Sequence, residues 1–330
     1  MRILIIKTTS MGDVVHTLPA ITDIQRHIPT ATIDWLVEQP FAAIPALHPA
    51  VSRIIPIQFR KWRKRFWATD VHQLVRIQID ALKQTPYDWI IDFQGLLKSA
   101  LFARTARRGS DAIVAGYDRH SSREAIASLF YHRTANVARQ LQAVSRNRLL
   151  AAQLLGYPKP DTPADFGIQA QRNRAQHPWL PNGPYAVLIP AASRPETLWP
   201  ASDWLALIKT LSAAGLPSIL LWGNPTEHSR SEKLAQASTA AIVPPFLTVA
   251  DAAGVLARAQ LIIGLDTGFT HLAAALGRPT IGIYCDHDPG LAGITGPAYT
   301  ASLGGKATPP SRQVVLATLH TALNTCPAPT

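Results

Sequence analysis

Short apolar runs alternate with amphipathic stretches along the first half of the chain. The apolar runs predict strands at 2–7, 32–37, 53–57, 88–93 and 112–117. Apolar residues at helical spacing predict helices near 13–27, 71–84, 96–107 and 138–155. Strands that are apolar along their whole length and separated by helices are typical of a parallel sheet covered on both faces.

The same alternation returns in the second half, after a break between about 156 and 184 that is dense in Pro, Gly and Asp. Strands are predicted at 185–190, 217–223, 240–244, 261–266 and 279–284. Helices are predicted at 200–215, 226–238, 249–259, 268–276 and 311–325. The sequence therefore predicts an α/β protein with two Rossmann-like, doubly wound domains, 1–165 and 184–330, joined by a linker at 166–183. Open sheets of this kind bind ligands at the carboxyl ends of their strands, so we expect a cleft between two such edges.

Composition narrows the class of protein. The chain has 330 residues, of which 47% are hydrophobic and 16% charged, as in a folded globular protein. Its two cysteines, Cys285 and Cys326, are too few for a disulfide framework and favour a reducing cytoplasm. No run of 18 apolar residues lacks a charge, so we expect no membrane span.

Positive charge is concentrated in the first half. Residues 1–165 carry 22 Lys and Arg against 13 Asp and Glu, whereas residues 166–330 carry 10 against 8. The run FRKWRKRFW at 59–67 holds five of these cations, interleaved with Trp62, Phe66 and Trp67. Such a stretch suits the phosphates of a membrane surface or a single-stranded nucleic acid, and a solvated charged face is the plain alternative.

One acid, Asp13, stands in the turn KTTSMGDVVHT that joins the first predicted strand to the first helix. The turn lacks the glycines of a dinucleotide fingerprint and the Gly-Lys-Ser/Thr of a P-loop, which argues against a pyrophosphate held there alone. Two interpretations stay open for Asp13. It could simply stabilise the start of the helix, or it could bind or catalyse at the carboxyl edge of the sheet.

A second acid-bearing turn lies in GLDTGFTHLAAAL, where Asp266 ends a predicted strand and Thr267 and Gly268 open a helix. The helix start suits phosphate, while a carboxylate suits sugar hydroxyls because it only accepts hydrogen bonds. A capped helix with His271 buried against the sheet is the structural alternative. The loop CDHDPG at 285–290 has metal-ligand residue types, but neighbouring residues cannot easily all face one ion, so a polar loop is expected.

These motifs together resemble the lipopolysaccharide heptosyltransferases of glycosyltransferase family 9, most closely those of the heptosyltransferase I type. The segments that carry the resemblance are KTTSMGDVVHTLPA, RKWRK, DFQGLLKSA, REAIASLFY, WGNPTEHSRSEKLA and LDTGFTHLAAAL. The resemblance covers nearly the whole chain and implies a GT-B fold, two Rossmann-like domains facing across a cleft. It implies inverting transfer of L-glycero-D-manno-heptose from ADP-heptose to the first Kdo sugar of Kdo2-lipid A, with no metal or other cofactor.

The resemblance also implies roles and a location. Asp13 would be the general base. Donor-binding residues would be Ser193, Arg194, Thr197, Glu227, Phe246, Asp266, Thr267, Gly268 and His271. Acceptor-binding residues would be Ser10, Gly12, Arg60, Lys61, Arg63, Lys64, Lys98 and Arg123. The enzyme would be cytoplasmic, held peripherally on the anionic inner face of the cytoplasmic membrane, with no nucleic acid as partner. The remaining alternatives are a sibling transferase, heptosyltransferase II or a protein O-heptosyltransferase, and a nucleic-acid-binding protein.

One position departs from the family pattern. The stretch AASRPETLWP at 191–200 matches a family segment that usually carries a lysine two residues before the tryptophan, and Thr197 stands there instead. The charge of the leaving diphosphate would then be met by other donors. Our hypothesis is that Arg194 takes the place of the lysine.

Overall fold

The computed structural model describes residues 1–64, 69–107, 111–169, 177–192, 194 and 197–325. The chain divides into two compact units, Met1–Gly167 and Ile168–Thr330, and this boundary falls inside the linker predicted at 166–183. Each unit is built on a parallel sheet that contains six strands in the described residues.

The first unit follows the predicted alternation of strands and helices. Its strands are β1 (Arg2–Ile6), β2 (Thr32–Glu38), β3 (Val51–Ile57), β4 (Trp89–Asp92), β5 (Ile113–Tyr117) and β6 (Arg133–Ala135). Its helices are α1 (Met11–Val15), α2 (Leu18–His27), α3 (Phe59–Lys64), α4 (Thr69–Lys83), α5 (Leu97–Arg107) and α6 (Ala143–Leu155). The single helix predicted at 13–27 is two helices, since Pro19 has no N–H to continue the first one.

The second unit repeats this plan. Its strands are β7 (Ala186–Ile189), β8 (Ser218–Leu220), β9 (Ala241–Ile242), β10 (Leu261–Leu265), β11 (Thr280–Tyr284) and β12 (Thr300–Gly304). Its helices are α7 (Ala201–Ala213), α8 (Pro225–Gln236), α9 (Val249–Arg258), α10 (Gly268–Ala275), α11 (Pro289–Ala292) and α12 (Arg312–Thr325). The short edge strands β6 and β12 were not predicted.

Both sheets have the doubly wound order. The first runs β3-β2-β1-β4-β5-β6, and the second runs β12-β11-β10-β7-β8-β9. The strand order reverses between β1 and β4 in one unit and between β7 and β10 in the other. A crevice opens at the carboxyl ends of the strands at such a switch point, and ligands bind there. The predicted two Rossmann-like α/β domains are confirmed.

Burial explains why these strands are central. The apolar residues of β1 and β10 are buried on both faces, as expected for strands covered by helices on each side. In the second unit the perpendicular rings of Trp199 and Trp204, 5.4 Å apart, anchor a core of leucine and isoleucine. Among the described residues, no helix is both long and apolar enough to cross a membrane.

Candidate active site

Asp13 lies in the first turn of α1, just beyond β1, where the first sheet opens its crevice. Ser10 precedes helix α1, and Asp13 is the third residue of that helix. The Asp13 carboxylate accepts from the backbone N–H of Ser10 at 2.9 Å and from its hydroxyl at 3.0 Å. Both interpretations of Asp13 are therefore compatible, because the carboxylate stabilises the start of α1 while its side chain stays 17% exposed.

Two cations set the charge state of Asp13. Arg123 donates to its Oδ1 at 2.7 Å, and the ammonium of Lys7 lies 4.0 Å from the same oxygen. Burial alone would raise the pKa of Asp13, but Lys7 and Arg123, helped by the Ser10 N–H, hold it far below its usual range. Lys7 itself is buried and donates to the carbonyl of Phe93, and burial lowers its pKa to about 8. Asp13 is thus an ionised carboxylate in a cationic pocket.

The turn after β4 holds this arrangement in place. Gln94 is 2% exposed, and its Oε1 accepts from the N–H groups of both Thr8 and Thr9 at 3.1 Å. Gly95 has a φ of +66°, which favours glycine, and its carbonyl accepts from the N–H of Glu124. A Cβ on Gly95 would lie 3.4 Å from the backbone nitrogen of Arg123, an ordinary contact distance, so the positive φ is what favours glycine here.

The basic run is only partly an exposed surface. Trp62 is 7% exposed and packs in the core of the first unit, so the expectation that it would form an interface with Phe66 and Trp67 is wrong for this residue. Its large apolar ring gains more from burial than from exposure. Lys61 is exposed, while the side chains of Arg60, Arg63 and Lys64, and all of residues 65–68, lie outside the described part. Lys98 of α5 lies over the ring of Phe59, the first residue of α3, at 5.7 Å.

In the second unit, Asp266 lies just beyond β10 at the switch point. Its Oδ1 is 3.0 Å from Nε2 of the buried His271, and its Oδ2 is 2.9 Å from Nδ1 of His287. Thr267 precedes α10 and Gly268 begins it, so the first N–H groups of this helix open beside the carboxylate. Each carboxylate oxygen keeps a further lone pair for a sugar hydroxyl.

Arg194 joins the same cluster through His287. Its Nη2 is 3.0 Å from Nε2 of His287 and 3.1 Å from a carboxylate oxygen of Asp286. Because arginine only donates, the unprotonated nitrogen of His287 is Nε2 and its Nδ1–H faces Asp266. Thr197 is 9% exposed and its hydroxyl donates to the Arg194 carbonyl at 2.6 Å, so it helps to fix the backbone at Arg194. Ser193 lies outside the described residues.

The other residues of the CDHDPG loop point to separate partners. Cys285 is buried, and Asp288 accepts from the N–H of Gly290 at the start of α11. In the part of the chain that the structure describes, no group of three or more His, Cys, Asp and Glu side chains is placed to hold a metal ion.

Glu227 lines a cavity of about 570 Å³ between the first turns of α8 and the segment that follows β7. Its Oε2 accepts from the N–H of Gly223 at 2.7 Å, which leaves the rest of the carboxylate toward the cavity. Phe246 is 62% exposed, and its ring lies 5.6 Å from that of Trp222. An exposed aromatic ring supported by a second ring offers a flat apolar surface.

The predicted residues therefore fall into separate groups. Ser10, Gly12, Asp13 and Arg123 meet at the crevice of the first unit, and Arg194, Asp266, Thr267, Gly268 and His271 meet at that of the second. Lys61 and Lys98 belong to the α3 and α5 surface, and Glu227 and Phe246 to the α8 side of the second unit.

Sequence reasoning assigned no role to Lys7, Gln94, Arg146, Trp222 or His287. The available signal was a polar residue at the end of a predicted strand for Lys7 and directly after a predicted strand for Gln94.

Known proteins that are similar to this chain show its family. The profile of glycosyltransferase family 9 (heptosyltransferase) matches residues 75–316. The chain is 43% identical over 298 residues to lipopolysaccharide heptosyltransferase 1 of Escherichia coli K12, covering 89% of this chain and 90% of that protein.

Solved structures extend the comparison to the fold. The E. coli heptosyltransferase WaaC with ADP superposes with a TM-score of 0.88 at 40% identity, covering 98% of this chain and 100% of that one. The same enzyme with ADP-2-deoxy-2-fluoro heptose gives a TM-score of 0.84 at 38% identity, with coverages of 97% and 99%. The predicted GT-B fold and the predicted glycosyltransferase activity are thereby confirmed. The chain belongs to glycosyltransferase family 9, the heptosyltransferases.

Proposed function

We propose that this enzyme transfers L-glycero-D-manno-heptose from ADP-heptose to the first Kdo sugar of Kdo2-lipid A, with inversion at the anomeric carbon. The observation that carries the proposal is the carboxylate of Asp13, held between Lys7 and Arg123 at the switch point of the basic unit. The high identity to lipopolysaccharide heptosyltransferase 1 over most of both chains supports the same reaction.

The second unit has the groups that an ADP-sugar requires. The N-terminus of α10, at Thr267 and Gly268, suits the diphosphate. Asp266 accepts from heptose hydroxyls, and Glu227 accepts from the ribose hydroxyls at its cavity. Phe246, backed by Trp222, offers its exposed face to the adenine.

The first unit supplies the base. In an inverting displacement the acceptor hydroxyl oxygen attacks the anomeric carbon while the bond to the diphosphate breaks, and ADP leaves with the electron pair. Asp13 accepts the hydroxyl proton as the new glycosidic bond forms. A positioned base of this kind contributes roughly 10²–10⁴-fold to the rate.

We propose that no metal or other cofactor takes part. Negative charge that develops on the leaving diphosphate is met by the N–H groups of α10 and by the guanidinium of Arg194, which is held near Asp266 through His287. Transfer rates measured with EDTA in place of added magnesium should therefore be unchanged, and recovery only with a divalent ion would contradict this.

We also propose that the enzyme works in the cytoplasm, bound peripherally to the anionic inner face of the membrane that holds its acceptor. Support comes from basic α3 and from apolar side chains on the neighbouring part of the unit. Leu129 is 80% exposed and Ile126 51% exposed on the 3₁₀ turn Ala125–Phe130, which packs against α5. Leu129→Asp should weaken binding to anionic vesicles, whereas Leu291→Asp in the second unit, also exposed, should not.

One assay tests the function itself. Wild type and Asp13→Asn are each given ADP-heptose with Kdo2-lipid A, with an already heptosylated acceptor, and with protein. We expect transfer to Kdo2-lipid A alone, lost in Asp13→Asn while ADP-heptose binding is retained. Preference of the wild type for the heptosylated acceptor or for protein would indicate a sibling transferase, and normal turnover by Asp13→Asn would exclude the base.

A further inference from the structure

Arg230 of α8 joins the two ends of the segment that follows β7. Its Nε donates to the carbonyl of Pro190 at 3.0 Å, and its Nη2 donates to the carbonyl of Trp199 at 2.7 Å. Pro190 comes directly after β7 and Trp199 stands two residues before α7, so both carbonyls lie outside regular structure. One guanidinium therefore supplies a hydrogen-bond partner to both carbonyls.

The segment that Arg230 closes carries two residues of the second crevice, Arg194 and Thr197. The Thr197 hydroxyl donates to the Arg194 carbonyl, so the backbone at Arg194 is fixed from within the segment. Trp199 is fixed from outside it, because its indole N–H donates to the carbonyl of Pro310 and its ring packs in the core of the second unit. The direction in which Arg194 leaves the sheet thus depends on how Pro190 and Trp199 are held together.

The surroundings of Arg230 do not offer it an acid. Within the described part of the chain its hydrogen bonds go to the two carbonyls, and no ion pair with Asp or Glu accompanies them. The side chain is half-buried, and burial lowers the pKa of its guanidinium. Partial removal of a cation from water is costly, so the two backbone hydrogen bonds are what stabilise the side chain in this place.

Helix α8 is a firm base for this contact. Asn224 precedes the helix, and its side chain accepts from the N–H of Glu227 at 3.0 Å. Leu234, one turn after Arg230, is buried in the core. Glu227 and Arg230 line the same cavity, so the helix that presents the acid assigned to the ribose also holds the segment of Arg194.

We propose that Arg230 is a positioning residue for the donor, which holds Pro190 and Trp199 together and so orients Arg194 toward the diphosphate. In this role, which rests on the proposed function, Arg230 acts through Arg194 and not by contact with the substrate. Arginine suits the position because its planar fork donates to two acceptors at once, whereas the ammonium of lysine is a single point.

The first test is the kinetics of Arg230→Met with ADP-heptose and Kdo2-lipid A. We expect kcat to fall about 10- to 100-fold, since a small misplacement of a group that meets the transition state can cost a factor of this size. The dissociation constant of ADP, measured by calorimetry, should stay close to that of wild type, because Glu227 and the start of α10 are unchanged. Arg230→Lys should remain defective, and full activity of this variant would overturn the need for two donors.

A double-mutant cycle tests whether the effect passes through Arg194. If Arg230 only orients Arg194, then Arg230→Met should cost little more in a protein that already carries Arg194→Ala. Losses that multiply in the double variant would mean that the two residues act independently, and would overturn the positioning role.

Arg278→Met is the matched control for stability. Arg278 is also half-buried, and its Nε donates to the carbonyl of Ala259 at 2.7 Å, at the amino edge of the same sheet. Both Arg→Met variants should lower Tm, but Arg278→Met should keep the kcat of wild type. An equal loss of kcat in the two variants would reduce Arg230 to a structural residue, and Arg230→Lys carries the kinetic test if Arg230→Met does not fold.

Failure of this role is distinguishable from failure of the proposed function. A normal kcat in Arg230→Met, beside a defect in Arg194→Ala, would overturn the role of Arg230 alone. Absence of transfer from ADP-heptose by the wild type would refute the proposed function itself.

Discussion

Arg123 and Asp13 are 110 residues apart in sequence and form an ion pair of 2.7 Å at the mouth of the β1–β4 crevice. The pair has two opposite consequences for a general base. It keeps Asp13 ionised, as a base must be, but it also holds the pKa of the carboxyl far below its usual range and so weakens its pull on a proton. The Arg123 side chain is half-exposed and is therefore accessible from solvent.

Arg123→Gln should raise the pKa of Asp13. In the wild type, Lys7, Arg123, the Ser10 N–H and His16 together lower it against the effect of burial. Removing one of these charges makes protonation easier, so the acid limb of kcat/KM should move to higher pH. The measurement is the pH profile with Kdo2-lipid A from about pH 3 to about pH 6, a window that includes the range in which carboxyl groups ordinarily titrate. A profile of unchanged shape would refute this coupling. Arg119→Gln, at an exposed position of the same unit, is the matched control.

Deprotonation of Lys7 should produce an alkaline limb in the pH profile of kcat/KM. Burial lowers its pKa to about 8, although Asp13 and Asp92 favour its charge and Arg123 and Arg146 oppose it. A lysine is charged below its pKa, so the group of cations around Asp13 loses one charge as the pH rises through about 8. We therefore expect kcat/KM for the acceptor to fall above this pH, while the KM for ADP-heptose stays constant.

Lys7→Arg provides the check on that assignment. Arginine keeps its proton throughout the range, so the alkaline fall should disappear in this variant whatever its absolute activity. Persistence of the same limb in Lys7→Arg would mean that another group titrates.

Arg194→Ala should lower the efficiency with which the enzyme uses ADP-heptose. Arg194 contacts Asp286 and His287, and His287 contacts Asp266, so the guanidinium lies one residue away from the carboxylate assigned to the heptose. We expect kcat/KM for ADP-heptose to fall about 10- to 100-fold, as for loss of a charged donor, with Arg194→Lys partly active. Arg312→Ala removes an exposed ion pair with Asp203 in the same unit and should leave transfer unchanged. Equal kinetics for Arg194→Ala and wild type would refute the idea that it replaces the family's lysine.

The sequence predicted the sheets well because each central strand is a continuous apolar run, and such runs are local signals. β6 and β12 escaped prediction because edge strands are short and half-exposed, so they lack that run. The turns bearing Asp13 and Asp266 were found for a related reason, since a polar turn directly after a buried strand marks the edge where ligands bind.

Residues that act through distant contacts could not be found in this way. Arg146 reaches Ser121 and Tyr117 from a helix far along the chain, and His287 reaches Asp266 from the loop after β11. Trp62 was misjudged because its neighbours in sequence are basic, while its neighbours in space are the apolar side chains of the first core. Only the folded structure shows that Arg146 and His287 make these contacts and that Trp62 is buried.

Gln94 holds the loop that leads to Asp13, so its replacement should lower both the stability of the protein and its transfer activity. Gln94→Leu would leave the buried N–H groups of Thr8 and Thr9 without their acceptor, at a cost of about 1–3 kcal/mol in the free energy of unfolding. The loop that carries Asp13 would loosen, and kcat should fall more than the affinity for ADP-heptose because orientation of the base is lost. Thermal unfolding, transfer kinetics and amide hydrogen exchange at Thr8 and Thr9 measure these effects. Gln153→Leu, at an exposed position on α6, is the control, and unchanged exchange at both amides in Gln94→Leu would show that Gln94 does not hold the loop.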